Sequence, residues 1–232
     1  IHQFYMIWYN TYIYKANGQE GCMKERESNV LSLLEDRTNH YSRKIALGMK
    51  TQFGWKELTY DGLGLMSRRL AAYLMNDLGL QKGEKLAILS ESKPEYGACV
   101  FASVISGLIT VPLDIKLTKY ELQSILSDCL PSVMLVSQSY IDKALELQKM
   151  IPSLKHIIVM DEHPVNDDLQ SIYTIPNNYT CKWRHRSSKS TVFIIYTSGT
   201  TGKPKGVETT FGNMLAQLNG LKVTFDKILP LG

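Results

Sequence analysis

Cysteine is scarce in this sequence, which has only four cysteines among 232 residues. They are Cys22, Cys99, Cys129 and Cys181, and no two of them form the CxxC pair that is common in zinc sites and redox proteins. Cys99 and Cys129 lie in apolar stretches, which is typical of small buried side chains. We therefore expect reduced thiols, no metal site and a cytoplasmic protein.

Long apolar runs are absent as well. The longest stretches, such as Ala98 to Val111, are interrupted by Ser and Gly and stay below the roughly 18 residues that a membrane-spanning helix needs. The chain also has few prolines and glycines, 8 and 16, with 44% hydrophobic residues. This composition excludes a disordered or low-complexity chain and favours a globular domain.

Charge of one sign is not concentrated anywhere. The 26 basic and 22 acidic residues give a net charge of +4, and they are interspersed, which disfavours nucleic-acid binding. The mild positive excess fits an anionic small molecule or a peripheral contact with an anionic membrane, and the sequence does not choose between them. The basic cluster Trp183-Arg184-His185-Arg186 is best interpreted as a solvated linker, with membrane contact as the alternative.

The N-terminal residues differ from the rest. Ile1 to Cys22 is rich in Tyr, Trp and Ile without helical or strand periodicity, and it lacks the features of a signal peptide. An amphipathic pattern begins after Met23, which is a candidate for the true start. We expect residues 1–22 to be an irregular leader that need not be native.

Strand and helix patterns alternate along the chain. Their spacing predicts helices at 29–40, 60–78, 94–106, 119–129 and 141–150, a strand hairpin at 44–49 and 54–59, and buried strands at 85–90, 108–113, 132–136 and 155–160. Such alternation predicts an α/β fold, in which parallel strands are flanked by helices. The segment 161–190 is polar and irregular and is expected to be a linker at an internal boundary.

A loop rich in glycine and hydroxyl groups follows a predicted strand at Thr191 to Tyr196. The loop spans Tyr196 to Gly206, and a helix is predicted at Thr210 to Leu221. A strand, such a loop and a helix in succession can present backbone NH groups to phosphate oxygens. An ordinary surface turn is the alternative, which the density of glycines, hydroxyls and lysines disfavours.

Each residue type in the loop suits a polyphosphate. Glycines allow positive φ and close approach, hydroxyls donate hydrogen bonds and lysines offset phosphate charge. The spacing is not that of a Walker A loop, so the sequence does not favour a P-loop kinase or a GTPase. The predicted phosphate-binding residues are Thr197, Ser198, Gly199, Thr200, Thr201, Gly202, Lys203, Lys205 and Gly206.

The segment YTSGTTGKPKGVETT, Tyr196 to Thr210, resembles the signature of the adenylate-forming (AMP-binding) superfamily, which includes acyl-CoA synthetases, luciferases and peptide-synthetase adenylation domains. WKELTYDGL (55–63) and SGLITVPLD (106–114) are similar to two earlier segments of that family. The resemblance covers about residues 29–232 and is closest to bacterial medium- and long-chain fatty acyl-CoA synthetases. It implies that residues 23–232 are the N-terminal part of the family's large domain.

The chain departs from the family pattern at Phe211, where histidine is frequent. The resemblance places that residue near the acid-binding side of the site, so the change bears on the substrate. The family's adenine-binding segment, ribose-binding aspartate and catalytic lysine are expected beyond Gly232. We therefore expect an incomplete chain, inactive alone, whose catalytic residues the sequence does not identify.

By this resemblance the full-length protein is an acid–thiol ligase that uses ATP, Mg²⁺ and coenzyme A. It would convert a carboxylic acid, expected to be a fatty acid, to an acyl-adenylate and then to acyl-CoA. Two alternatives stay open: an adenylation domain for an amino acid or aromatic acid, and a non-catalytic fragment that retains the phosphate loop.

Overall fold

The computed structural model describes residues 38–166, 168–177, 183–197 and 204–217. Residues 38–41 are helical, which is the end of the helix predicted at 29–40; its earlier part, the leader and Met23 lie outside the described residues. The helices are α1 (Tyr60–Asn76), α2 (Pro94–Ser106), α3 (Lys119–Cys129) and α4 (Ile141–Met150). The strands are β1 (Ile45–Thr51), β2 (Gly54–Thr59), β3 (Lys85–Leu89), β4 (Ile109–Leu113), β5 (Val133–Val136), β6 (His156–Val159), β7 (Gln170–Ser171), β8 (Thr191–Thr197) and β9 (Lys205–Thr210).

The predicted hairpin is confirmed as the antiparallel pair β1–β2. The Thr51 hydroxyl accepts a hydrogen bond from the Phe53 amide at 3.1 Å and donates one to the Gly54 carbonyl at 2.9 Å. Gly54 has φ of 121°, which a residue with a Cβ rarely adopts. The Thr51 hydrogen bonds and the glycine at position 54 therefore stabilise the turn between β1 and β2.

Helix α1 follows directly and carries the predicted apolar face. Thr59 caps it by accepting a hydrogen bond from the Gly62 amide at 3.1 Å. Leu63, Leu70 and Leu74, which recur at helical spacing, are all at most 1% exposed. The helix therefore packs its apolar face into the core.

Within the residues that the structure describes, the main sheet has seven strands in the order β7-β6-β5-β3-β4-β8-β9. Strands β3 to β8 run parallel to their neighbours, and only β9 is antiparallel, to β8. Alternate residues of β3 point to opposite faces: Leu86 and Ile88 join a core cluster with α1 and α2, whereas Ala87 and Leu89 join a second cluster with α3 and α4. This confirms the α/β prediction, since helices cover both faces of a mostly parallel sheet.

The segment predicted as a linker contributes a short strand. β7 has two residues and pairs in parallel with β6. Two residues are too few for periodicity to reveal a strand, so this strand could not be predicted from the apolar pattern. The internal boundary near 161–190 stays a prediction.

The basic cluster at 183–186 is not a solvated linker, and that prediction is wrong for its two arginines. Arg186 is 9% exposed and donates to the carbonyls of Thr191, at 2.8 Å, and of Leu108, Ser103 and Val104. Arg184 donates to the Leu80 carbonyl at 2.7 Å. Burial lowers the pKa of Arg186 to about 10. Arg186 thus links the end of α2 to the start of β8, and Arg184, which also donates to the Ser106 carbonyl at 3.3 Å, links the end of α2 to Leu80.

The part of the chain that the structure describes contains no helix that could span a membrane. None of its helices combines the length and the apolar character that crossing a bilayer requires.

Candidate functional site at the carboxyl end of β8

The candidate phosphate loop leaves from the carboxyl end of β8. Val192 and Phe193 are buried in the core, and Phe193 is in register with Thr110 of the parallel strand β4. β8 therefore runs in the same direction as β3 to β6. In open α/β sheets, ligands bind outside the carboxyl ends of the strands, so the loop emerges where a ligand site is expected.

The loop connects two paired strands rather than a strand and a helix, which corrects the local geometry predicted from the sequence. β9 pairs with β8 along its length, with Tyr196 opposite Gly206 and Thr197 opposite Lys205. The helix begins at residue 211, one strand later. A hairpin therefore holds the two ends of the loop side by side.

Two local features of the sequence explain why the helix begins only at residue 211 and not directly after the loop. β9 carries the β-branched residues Val207, Thr209 and Thr210, which favour a strand. Thr210 then caps the helix: its hydroxyl accepts from the Asn213 amide at 3.1 Å, and the Asn213 side chain accepts from the Thr210 amide at 3.1 Å. The predicted helix at 210–221 is confirmed for residues 211–217, and the remainder lies outside the described residues.

Three of the nine predicted phosphate-binding residues fall in the described part of the chain. Thr197 and Lys205 are exposed and face each other at the base of the loop, and Gly206 follows Lys205. A hydroxyl donor and an ammonium group at this place suit a polyphosphate. The six that lie outside the described residues are Ser198, Gly199, Thr200, Thr201, Gly202 and Lys203, so the binding role of the set stays a prediction.

Gly206 lacks the positive φ that was one of the two predicted reasons for its glycine, and the other reason, close approach to an anion, stays a prediction. Gly206 is not among the residues with positive φ, so backbone freedom is not what requires glycine there. A Cβ on Gly206 would lie 2.8 Å from Ile194 Cγ2 and 3.1 Å from Tyr196 Cζ. Glycine is needed because the Tyr196 ring packs directly over the opposite strand.

The Tyr196 hydroxyl donates a hydrogen bond to the Asp128 carboxylate in the last turn of α3. Burial, together with this hydrogen bond, raises the pKa of Tyr196 well above its usual range, so the phenol stays a neutral donor. The sequence analysis missed Asp128, because 68 residues separate the two side chains and no local pattern links them.

Phe211, which replaces the histidine common in the resembling family, is 8% exposed. It belongs to the core cluster formed with α1 and α2, and its amide donates to the Ser190 carbonyl at 2.8 Å. An apolar side chain at this position is therefore accommodated by the apolar core.

A second polar cluster lies at the carboxyl ends of β3, β5 and β6. The Lys93 side chain is 4% exposed and forms an ion pair with Asp161, whose other oxygen accepts from the Gln138 amide at 2.7 Å. The Ser137 hydroxyl donates to Glu91. These charged groups are paired with one another within the fold, so the cluster links three strand ends. Its charges are already neutralised, which disfavours a role in binding a ligand.

The described residues show no metal centre and no exposed reactive thiol. Among them, no group of three or more His, Cys, Asp or Glu side chains could hold a metal ion. Cys99 and Cys129 are free and buried, as expected, and burial raises the pKa of Cys129 to about 12. Cys22 and Cys181 lie outside the described residues.

Comparisons with known proteins agree with this architecture. The chain is 30% identical to the long-chain-fatty-acid–CoA ligase ACSBG1 of Homo sapiens over 77% of its length, and 25% identical to the long-chain-fatty-acid–CoA ligase of Salmonella typhimurium over 97%. It superposes with a TM-score of 0.70 and 26% identity on a crystal structure of the anthranilate CoA ligase AuaEII in complex with anthranoyl-AMP, covering 83% of the chain.

The chain spans only part of each of these proteins: 26% of the human ligase, 44% of the Salmonella ligase and 37% of the anthranilate ligase. The profile of the family described as "AMP-binding enzyme" matches residues 34–230, which is most of the chain and includes all of β1 to β9. The chain therefore belongs to the AMP-binding enzyme family.

Proposed function

We propose that the protein containing this chain activates a carboxylic acid with ATP, giving an acyl-adenylate and then an acyl-CoA. The observation that supports the proposal is the β8–β9 hairpin, whose paired ends Thr197 and Lys205 flank the predicted phosphate loop at the carboxyl end of a parallel strand in an AMP-binding family chain. The reaction class follows from the CoA ligases that the chain resembles.

In this reaction a carboxylate oxygen of the acid attacks the α-phosphorus of ATP and pyrophosphate leaves. A thiol then takes the acyl group and AMP leaves. Mg²⁺ would supply charge neutralisation for the leaving pyrophosphate, together with cationic groups of the protein. Preorganised donors of this kind stabilise charge as it develops in the transition state.

The part of this chain is to hold the phosphates. The Thr197 hydroxyl and the Lys205 ammonium lie opposite each other where the two strands end, so both can point toward one anion. Lys205 supplies charge and Thr197 a hydrogen-bond donor. Because the hairpin fixes both ends of the loop, the donors are placed before the ligand binds, which favours in-line displacement.

The substrate class is proposed to be a fatty acid, because the human and Salmonella relatives are long-chain-fatty-acid–CoA ligases. An aromatic acid is the second candidate, and the likeness to the anthranilate ligase favours it. Coenzyme A as acceptor rests on the same relatives, and a cytoplasmic location stays a proposal.

The test is carboxylate-dependent pyrophosphate release by the whole protein, measured with ATP, Mg²⁺, coenzyme A and a panel of fatty and aromatic acids. The double variant Lys203→Ala/Lys205→Ala should lose activity at limiting ATP while its unfolding temperature is unchanged. Lys189→Ala, an exposed lysine just before β8, is the matched control and should keep full activity. Unchanged release in the double variant would refute the loop assignment.

A second experiment tests whether residues 1–232 alone can carry out the adenylation step. We expect this chain to form no acyl-adenylate with any acid, because the acid, the α-phosphate and the cationic groups must be held together. Carboxylate-dependent pyrophosphate release by this chain alone would show that residues 1–232 suffice.

A further inference from the structure

We infer that Asp128 is a positioning residue for the phosphate loop, because its carboxylate holds the Tyr196 hydroxyl and so fixes the strand end from which the loop departs. The inference rests on the function proposed for that loop. It assigns to α3, a helix outside the loop motif, the task of setting where Thr197 and Lys205 lie.

One aromatic ring joins three elements at the base of the loop. The Tyr196 side chain belongs to β8 and packs against the core cluster of α3 and α4. Its ring covers Gly206 of β9, whose Cα has no room for a side chain. Its hydroxyl reaches Asp128 of α3. Movement of the ring would therefore move both strands relative to the helix.

The end of β8 that carries Tyr196 lies beyond the point at which β8 is in register with β4. That register pair is Thr110 and Phe193, and Val192 and Phe193 are buried, so the sheet and the core hold the first half of β8. Phe193 lies three residues before Tyr196, so the strand end that carries Tyr196 and Thr197 lies beyond that pair. The hydrogen bond to α3 supplies a second fixed point.

Helix stability does not explain an acid at position 128. A carboxylate in the last turn of a helix faces the negative end of the helix dipole, and α3 has no basic residue in that turn to offset it. Asp128 is exposed, whereas its neighbour Cys129 is buried in the core. The residue type is therefore better explained by its contact with Tyr196 than by α3 itself.

The helix that carries Asp128 is well fixed. Leu122 and Leu126 are fully buried, and Thr118 and Glu121 form a capping box at its start. After Cys129 the chain turns at Leu130, which has φ of 51° and is the one non-glycine residue with positive φ in the described part of the chain. Asp128 thus lies at a defined helix end, from which a short side chain can hold a partner in one place.

The first test compares Asp128→Ala, Tyr196→Phe and the double variant in the whole protein, with Asp142→Asn, an exposed acid on α4, as the control. Each single variant should raise the KM for MgATP about three- to tenfold, the size expected for one lost hydrogen bond, with a smaller effect on kcat. The double variant should be no worse than the worse single variant. Asp128→Asn, which keeps an acceptor oxygen, should recover most of the loss.

Two outcomes of this test would overturn the inference. If the effects of the two single variants multiply in the double variant, the two side chains act independently. If the variants lower the unfolding temperature but leave the KM for MgATP unchanged, the contact serves stability alone.

A second measurement does not depend on activity. Amide hydrogen exchange, followed by mass spectrometry, should be faster at residues 197 and 205–207 in Asp128→Ala and Tyr196→Phe, and unchanged in Asp142→Asn. If the wild-type protein shows no acid-dependent pyrophosphate release, the proposed function fails while this readout still tests the anchor. Equal exchange in all variants would refute the inference whatever the activity.

Discussion

The central strands and the β8–β9 hairpin belong to one sheet but differ in how they are held. Leu86 to Leu89 of β3 are completely buried, and β3 is paired with neighbours on both sides. Most of β9 is exposed, and its first residues are Lys205 and Gly206. Burial therefore maintains the centre of the sheet and the start of β8, whereas cross-strand pairs and the packing and hydrogen bond of Tyr196 maintain the loop end of the hairpin. Stability and ligand binding are expected to depend on different residues.

The largest expected effect lies at the centre. Ile88→Ala removes a fully buried side chain from β3 and should lower the free energy of unfolding by about 2–5 kcal/mol. Val207→Ala on β9 is the matched change in the hairpin; since Val207 is 54% exposed, we expect a change of about 0.5 kcal/mol or less. Denaturant unfolding measures both. Equal losses would show that the hairpin is as integral to the core as β3.

The next effect concerns Arg186, which connects the start of β8 to the end of α2. Arg186→Ala should lower the free energy of unfolding by at least about 2 kcal/mol, because several buried carbonyl groups lose their donor. Arg186→Lys should recover only part of this loss, since a single ammonium group cannot donate to all the carbonyl groups that the planar guanidinium group reaches. Arg43→Ala, an exposed arginine before β1, serves as the control in the same unfolding assay. A loss no larger than that of the control would contradict the structural role.

Gly206→Ala should affect both stability and nucleotide binding. The added methyl group would overlap Ile194 and displace the Tyr196 ring, so we expect a loss of about 1–3 kcal/mol in stability and at least a tenfold rise in the KM for MgATP. Gly48→Ala in β1, where a Cβ meets only ordinary contacts of 3.7 Å or more, is the control. An unchanged KM in Gly206→Ala would show that the ring can move without disturbing the loop.

The smallest effect near neutral pH is that of the buried Cys129 thiol, whose contribution changes only in alkaline solution. Burial raises the pKa of Cys129 from 9 to about 12, with the Asp128 charge acting in the same direction. The thiol therefore favours folding below pH 9, and this contribution is lost as the pH rises toward 12. Cys129→Ala should flatten the fall in stability over that range. An unchanged pH profile in unfolding experiments would contradict the assigned shift.

The sequence predicted the elements between residues 44 and 160 to within two residues at nearly every boundary. Helices α2, α3 and α4 begin and end at the predicted residues, and the start of α1 is exact. The reason is that caps, apolar spacing and glycines act within a few residues of chain. The same patterns located the loop and, through its resemblance, the family.

The sequence could not determine the contacts that depend on residues far apart in the chain. Helical or extended spacing does not reveal that Arg186 binds the end of α2 or that Asp128 meets Tyr196, since 68 to 83 residues separate these partners. Local patterns also predicted positive φ at Gly206, which the structure does not show, and they could not reveal that the Ile194 and Tyr196 side chains of the opposite strand leave little room for a Cβ there. Local chemistry thus determined the elements, the loop and the fold class. Only the tertiary structure decided how β8 and β9 pair and what holds them, because packing brings together side chains that no local interaction relates.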